Sequence, residues 1–176
     1  CELDFYAADI TRTFPANGKY TTEQKALYQV VLDSQIAAIA AIKAGVGWNV
    51  SHDVTVEVIT QGLVDLGLLS GNVKELIATE AYKDFYMHRA GHWLGMDVHD
   101  VGDYKVGGCW RELEVGMVLT IEPGIYVAPD NNNVDEKWRG IGIRIEDDVA
   151  VTKTGCEVLT AGVPKTIAEI EALMAG

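Results

Sequence analysis

The chain has 176 residues, 48% of them hydrophobic and 23% charged, which is enough for one domain with a sizeable core. A formal charge of −12 argues against nucleic acid or an anionic membrane surface as the main partner, and no apolar run approaches the roughly 20 residues that span a bilayer. Cysteines at 1, 109 and 156 are odd in number and fit neither a disulfide framework nor a CxxC metal site, so a reducing, cytoplasmic compartment is expected.

The opening CELDFYAADITRTF alternates Leu3, Phe5 and Ala7 with Glu2, Asp4 and Tyr6, the period of a strand. Residues 1–14 are read as two strands joined near Ala7 to Asp9. With no initiator Met, no polar lead-in and no secretory signal, the chain looks cut from a longer one. Pro15, Asn17 and Gly18 then make a turn. Thr21 with Gln24 forms a capping box, and Leu27, Val31, Ala38 and Ile42 continue at helical spacing, predicting a helix over 22–43 that Gly45 and Gly47 end. A second helix is expected from Ser51 to Leu66 with Val54, Val58 and Leu63 inward, and a shorter one over 72–81. From 85 to 152 the texture turns to glycine-punctuated β segments, among them MVLTIEPGIYV and GIGIRIEDDVAVT. Thr166 with Glu169 opens a terminal helix through Met174. The pattern is one α+β domain, helices first and strands after.

Reactive side chains concentrate in four pieces: Asp9 in AADITRTF, the segment YMHRAGHWLGMDVHDVG, Glu122 in LTIEPGIY, and Arg144 with Glu146 in GIRIEDD. The second holds His88, His92 and His99. His88 and His92 are four apart, as in a zinc-binding helix, yet no glutamate follows His88 and Gly91 and Gly95 interrupt the segment. Pro123 pushes Glu122 towards extended backbone, and its apolar neighbours Val118, Leu119 and Ile121 mark a buried strand. A buried carboxylate must be paired, hydrogen-bonded or metal-bound. Arg144 and Glu146 are two apart on a further strand, hence on one face, where a plain ion pair is as good an account as a catalytic one. His52 lies outside all four pieces and is read as a surface or helix-start residue.

CELDFYAADITRTFP, MHRAGHWLGMDVHDVG, MVLTIEPGIYVAP and RGIGIRIEDDVAVT, in this order, resemble the catalytic half of the aminopeptidase P family (Xaa-Pro aminopeptidases). These are pita-bread metallopeptidases, grouped with prolidase and methionine aminopeptidase. The resemblance implies a pita-bread fold, of which residues 1–176 would be the C-terminal part. It implies two divalent cations, foremost Mn²⁺ with Co²⁺ or Zn²⁺ as alternatives, held by Asp9 and Glu146 as bridging acids and by His92 and Glu122. An oxygen-rich shell with one imidazole suits such ions, and two of them roughly 3.5–4 Å apart can hold a hydroxide and polarise a carbonyl. His88 and His99 would hold the substrate and stabilise the oxyanion, and Glu122 would act as general base. Arg144, Val98 and Tyr126 match positions around the proline pocket, so the implied substrates are peptides with proline second, and the full-length protein would be a homo-oligomer.

The chain departs from the family in one respect. The family's first metal-binding aspartate lies in an Asp-Ala-Gly sequence just before the residues matching Cys1 and Glu2. An upstream histidine and the N-terminal domain are missing with it. The expectation is that this piece alone is inactive and binds at most one ion well. Two rivals stay open. One is prolidase, against which RGIGIRIEDD and the short gap from Trp110 to Glu114 lean. The other is a non-catalytic pita-bread module that binds peptides or proteins, against which every ligand position still within the chain is filled.

Overall fold

Helices α1 (Thr22–Ala41) and α2 (Val50–Asp65) pack side by side in the computed structural model, which describes residues 1–176. The Thr21 hydroxyl accepts from the Gln24 N–H at 3.2 Å while Gln24 Oε1 accepts from the Thr21 N–H at 2.9 Å, so the box read from the sequence does start α1. Leu27, Val31, Ala38 and Ile42 are fully buried, as their spacing predicts. Gly62 allows the close approach, because a Cβ there would overlap Val30. The inward face of α2 is Thr55, Val56, Ile59, Thr60 and Leu63. Of the three residues expected there, Leu63 points in, whereas Val54 and Val58 are only half-buried. Of the two threonines on this stripe, the Thr60 hydroxyl donates to the Val56 carbonyl at 2.6 Å, whereas Thr55 Oγ1 is buried with no partner.

The third helix, α3 (Val73–Ala78), is shorter than 72–81 because Glu80 adopts φ 57 and turns the chain into a single 3-10 turn, Ala81–Asp84. The terminal helix α4 (Ile167–Met174) opens on the expected Thr166–Glu169 box and inserts Ile170 into the core.

The strands are short. β1 (Glu2–Leu3) and β2 (Tyr6–Ala7) form a hairpin that turns at Asp4 and Phe5, with φ of 52 and 66, rather than near Ala7 to Asp9. The turn comes early because the Ala7 amide is committed to the Gly95 carbonyl at 2.8 Å. Leu3 and Phe5 consequently stay 77% exposed, contrary to their strand-like alternation. Residues 8–14 run on without a strand, and their one β-bridge is between Thr11 and Glu146. A second hairpin pairs β3 (Lys105–Val106) with β4 (Cys109–Trp110).

The remaining strands build the site. β5 (Val118–Ile121) pairs antiparallel with β8 (Asp147–Val151), which pairs with β9 (Cys156–Val158). β6 (Gly124–Tyr126) pairs antiparallel with β7 (Gly142–Arg144). Ile121 faces Asp147 and Gly124 faces Arg144, so both ladders keep one register, and in the gap between them Glu122 falls opposite Glu146. Arg144 and Glu146 therefore do not share a strand, which corrects the sequence reading. One apolar cluster lies between the helices and β6–β7, around Tyr28, Leu63, Tyr86 and Ile125. The other packs Trp48, Trp93, Leu119, Ile121 and Val149 under the three-stranded sheet. The helices-then-strands α+β order stands.

Candidate metal site

Three backbone segments meet at the gap. Pro123 has no N–H to continue the ladder, and the Glu122 N–H donates instead to the Ala90 carbonyl at 2.7 Å. The Thr120 N–H donates to the His92 carbonyl at 3.0 Å, and the His92 N–H to Thr120 Oγ1 at 3.1 Å. This lays the histidine segment along β5, and glycine is required at 91 because a Cβ there would overlap the Thr120 carbonyl oxygen. The segment is a glycine-punctuated loop, not a zinc-binding helix. On the other side, the Glu146 N–H donates to the Thr11 carbonyl at 3.0 Å and the Asp9 N–H to Asp148 Oδ2 at 3.2 Å.

These contacts bring Asp9, His92, Glu122 and Glu146 together. His92 Nε2 lies 3.6 Å from Asp9 Oδ2 and 3.7 Å from Glu122 Oε1. His92 Nδ1 is 2.9 Å from the Trp93 carbonyl, which can only accept, so the ring proton sits on Nδ1 and Nε2 offers a lone pair to the acids. The candidate ligand atoms of His92, Glu122 and Glu146 lie within 4.8 Å of one another, and those of Asp9, His92 and His99 form a second such trio. His99, whose ring stands edge-on at 4.4 Å from that of His92, is thus nearer the acids than an outlying substrate histidine need be.

The charge balance is unfavourable without a cation. Burial, joined by the charges of Glu122 and Asp9, pushes the Glu146 carboxyl up to about 7, against the Thr11 hydroxyl that donates to Glu146 Oε2 at 2.5 Å. Burial likewise raises Asp148 to about 6, and its Oδ1 is buried with no partner. The one guanidinium in reach is that of Arg144, 3.4 Å from Glu122 Oε2. Several acids around one imidazole lone pair and a single arginine fit a hard or borderline divalent ion.

Around this cluster, the His88 Nδ1–H donates to the Arg89 carbonyl at 2.8 Å, so the Tyr126 hydroxyl must donate to His88 Nε2 at 2.9 Å. Gly124 makes room for that pair, since a Cβ there would stand against the Tyr126 ring and the Ile143 carbonyl. Val98 sits next to His99 on the solvent side, 41% exposed.

Residue-by-residue reading of the sequence missed part of the surroundings. Thr11 pins Glu146, and the only signal for it was its place in the Asp9 motif. Asp147 binds Arg12 at 2.7 Å, Lys165 at 2.7 Å, Thr160 at 2.7 Å and Gln35 at 3.0 Å, and its charge partners hold it below the usual carboxylate range despite burial. His52 is not a surface residue. It starts α2 as expected, but its ring lies 5.9 Å from that of Tyr86, and burial, then Arg89 and His88, lowers it to about 4.

The model of metallopeptidase family M24 matches residues 1–153. The chain belongs to metallopeptidase family M24. That family implies divalent metals. Among M24 relatives, the Xaa-Pro aminopeptidase of Haemophilus influenzae is 52% identical over 99% of this chain, and human Xaa-Pro dipeptidase 42% identical over 97% of it. The structure of Pseudomonas aeruginosa aminopeptidase PepP superposes with a TM-score of 0.98 at 70% identity over 99% of the chain, which places the fold with aminopeptidase P structures. This chain spans about 40% of the length of each of these three.

Proposed function

We propose that this chain carries the metal site of an Xaa-Pro aminopeptidase, a metallo-exopeptidase that removes an N-terminal residue preceding proline, and that it is the C-terminal part of that enzyme's catalytic domain. The observation that supports this best is the convergence of Asp9, His92, Glu122 and Glu146 from separate segments on one place. Those four residues would hold the metal, with Mn²⁺ the ion their donor set favours over thiolate-preferring ions. When bound, divalent ions supply Lewis acidity for amide hydrolysis near neutral pH.

The side chains divide the remaining work. Glu122 is the general base: Arg144 anchors Oε2 at 3.4 Å, leaving Oε1 turned to His92. Glu146 is held still by Thr11. His88 and His99 are the donors to the developing oxyanion. In the resting arrangement His88 Nε2 accepts from the Tyr126 hydroxyl 2.9 Å away, so it donates to an oxyanion only when that nitrogen carries a proton of its own. A prolyl amide has no N–H to recognise, so selectivity rests on shape, with the faces of Tyr126 and Val98 and the stem of Arg144 around the ring. In the cell the enzyme would be cytoplasmic and homo-oligomeric.

Calorimetric titration of Mn²⁺ into the 176-residue chain tests the site. One tight binding event is expected, with no peptidase activity from this piece alone; two tight events, or none, contradict the reading. The 52% identity to an Xaa-Pro aminopeptidase against 42% to a dipeptidase favours the tripeptide-cleaving activity. Assay of the longer protein on Xaa-Pro dipeptides and tripeptides separates the two, and failure on both would leave the non-catalytic module.

A further inference from the structure

Trp110 carries two cations. Arg89 Cζ stands 4.6 Å from its ring centroid and Lys105 Nζ 4.3 Å. Neither is matched by a carboxylate, although the chain has 26 acidic residues to 14 basic ones. Lys105 and Trp110 face each other across the β3–β4 hairpin, whose turn at Gly107 and Gly108 has φ of 59 and 84, a pair of left-handed positions that fixes the hairpin's shape. Arg89 adjoins His88, whose Nδ1–H its carbonyl accepts. Arg89, Gly91, Tyr104, Lys105 and Trp110 bound a groove of about 480 Å³.

Two like charges at one indole, with no carboxylate against either, make the groove a place of positive potential that an anion would offset. Gly91, in the lining of the groove, immediately precedes His92, so the groove adjoins the loop that carries the metal-site histidine. An aminopeptidase holds the substrate's amino terminus at its centre, and the peptide extends from there in the C-terminal direction only. A groove beside the histidine loop is therefore placed for residues downstream of the cleaved bond.

We propose that Arg89, Lys105 and Trp110 form a subsite for a carboxylate in the downstream part of the peptide substrate. This rests on the aminopeptidase reading above. The carboxylate comes either from the C-terminus of a short peptide or from an acidic side chain.

The test uses the longer enzyme and two substrate pairs: Ala-Pro-Ala against its C-terminal amide, and Ala-Pro-Glu amide against Ala-Pro-Gln amide. The acid member of at least one pair should be preferred by roughly tenfold in kcat/KM, the scale of one charge-assisted contact, carried by KM and shrinking as salt is raised. Which pair shows the preference identifies the source of the carboxylate. In the R89Q/K105Q double variant the ratio should fall towards one, while Lys105→Arg, which retains the charge, should preserve it. A ratio equal in wild type and double variant, or no acid preference in either pair, overturns the subsite and leaves the aminopeptidase reading intact. No cleavage of any of the four peptides overturns both.

Discussion

Glu122 and Glu146 face each other where a β-ladder is interrupted, and Gly91 decides whether His92 can join them. A methyl group at Gly91 overlaps the Thr120 carbonyl, so Gly91→Ala must push the histidine loop off β5. The expected result is at least a tenfold loss of Mn²⁺ affinity, read by calorimetry, the range found when a ligand loses its support. His52 gives a second outcome. The unfolded chain takes up a proton on this ring near pH 6.5, whereas the folded chain resists until about 4. Unfolding thus binds a proton across that window, and the His52 contribution, complete above 6.5, is lost as pH falls towards 4. Urea midpoints at pH 7 and pH 4.5 should differ less in His52→Gln than in the wild type. Single residues were unevenly legible. Glu122 announces itself through Pro123 and an apolar strand. Asp9 and Thr11 are ordinary polar residues outside any strand, and only their motif marks them. The burial of His52 depends on Tyr86, far along the chain, which no local pattern reports.

At the level of elements, β8 is the anchor. Asp147 opens it with a side chain 1% exposed, tied to Arg12 before α1, Gln35 within α1, and Thr160 and Lys165 ahead of α4. Removing Arg12 leaves Lys165 as the one cation on Asp147, so Arg12→Met should cost about 1.5–3 kcal/mol in urea denaturation, the scale of a hydrogen bond to a charged group. Because Glu146 precedes Asp147, the same change should also weaken the metal site, visible as a lower Mn²⁺ affinity in protein that is still folded. Capping boxes made α1 and α4 legible to within a residue or two, since their signals are local. The hairpin turn at Asp4 and Phe5 was not, because Phe5 is not a turn-former, no glycine accompanies Asp4, and a distant amide partner sets the turn. The inward face of α2 was misplaced because threonines fill it.

Taken whole, the molecule exposes large apolar side chains at Leu3, Phe5, Met96 and Val101, each at least 77% accessible. Large apolar side chains left in water favour association, so the isolated chain should sediment as more than a monomer despite its charge of −12. Leu3→Ser with Phe5→Ser should shift it towards the monomer in analytical ultracentrifugation. The α+β class was legible from the switch in periodicity. The shared register of two separate ladders was not, because it is set by pairing between residues distant along the chain, from Tyr126 with Gly142 to Val118 with Ala150. That register has a last consequence. The amides beside the acids are already spoken for by Ala90, Thr11 and Pro123, so the cage is woven from main chain and does not depend on its guest. Chelators should strip the ion without changing the far-ultraviolet circular dichroism, and replenishment should be immediate, with no refolding lag. A vessel of this kind can be emptied and refilled with whichever ion its surroundings supply.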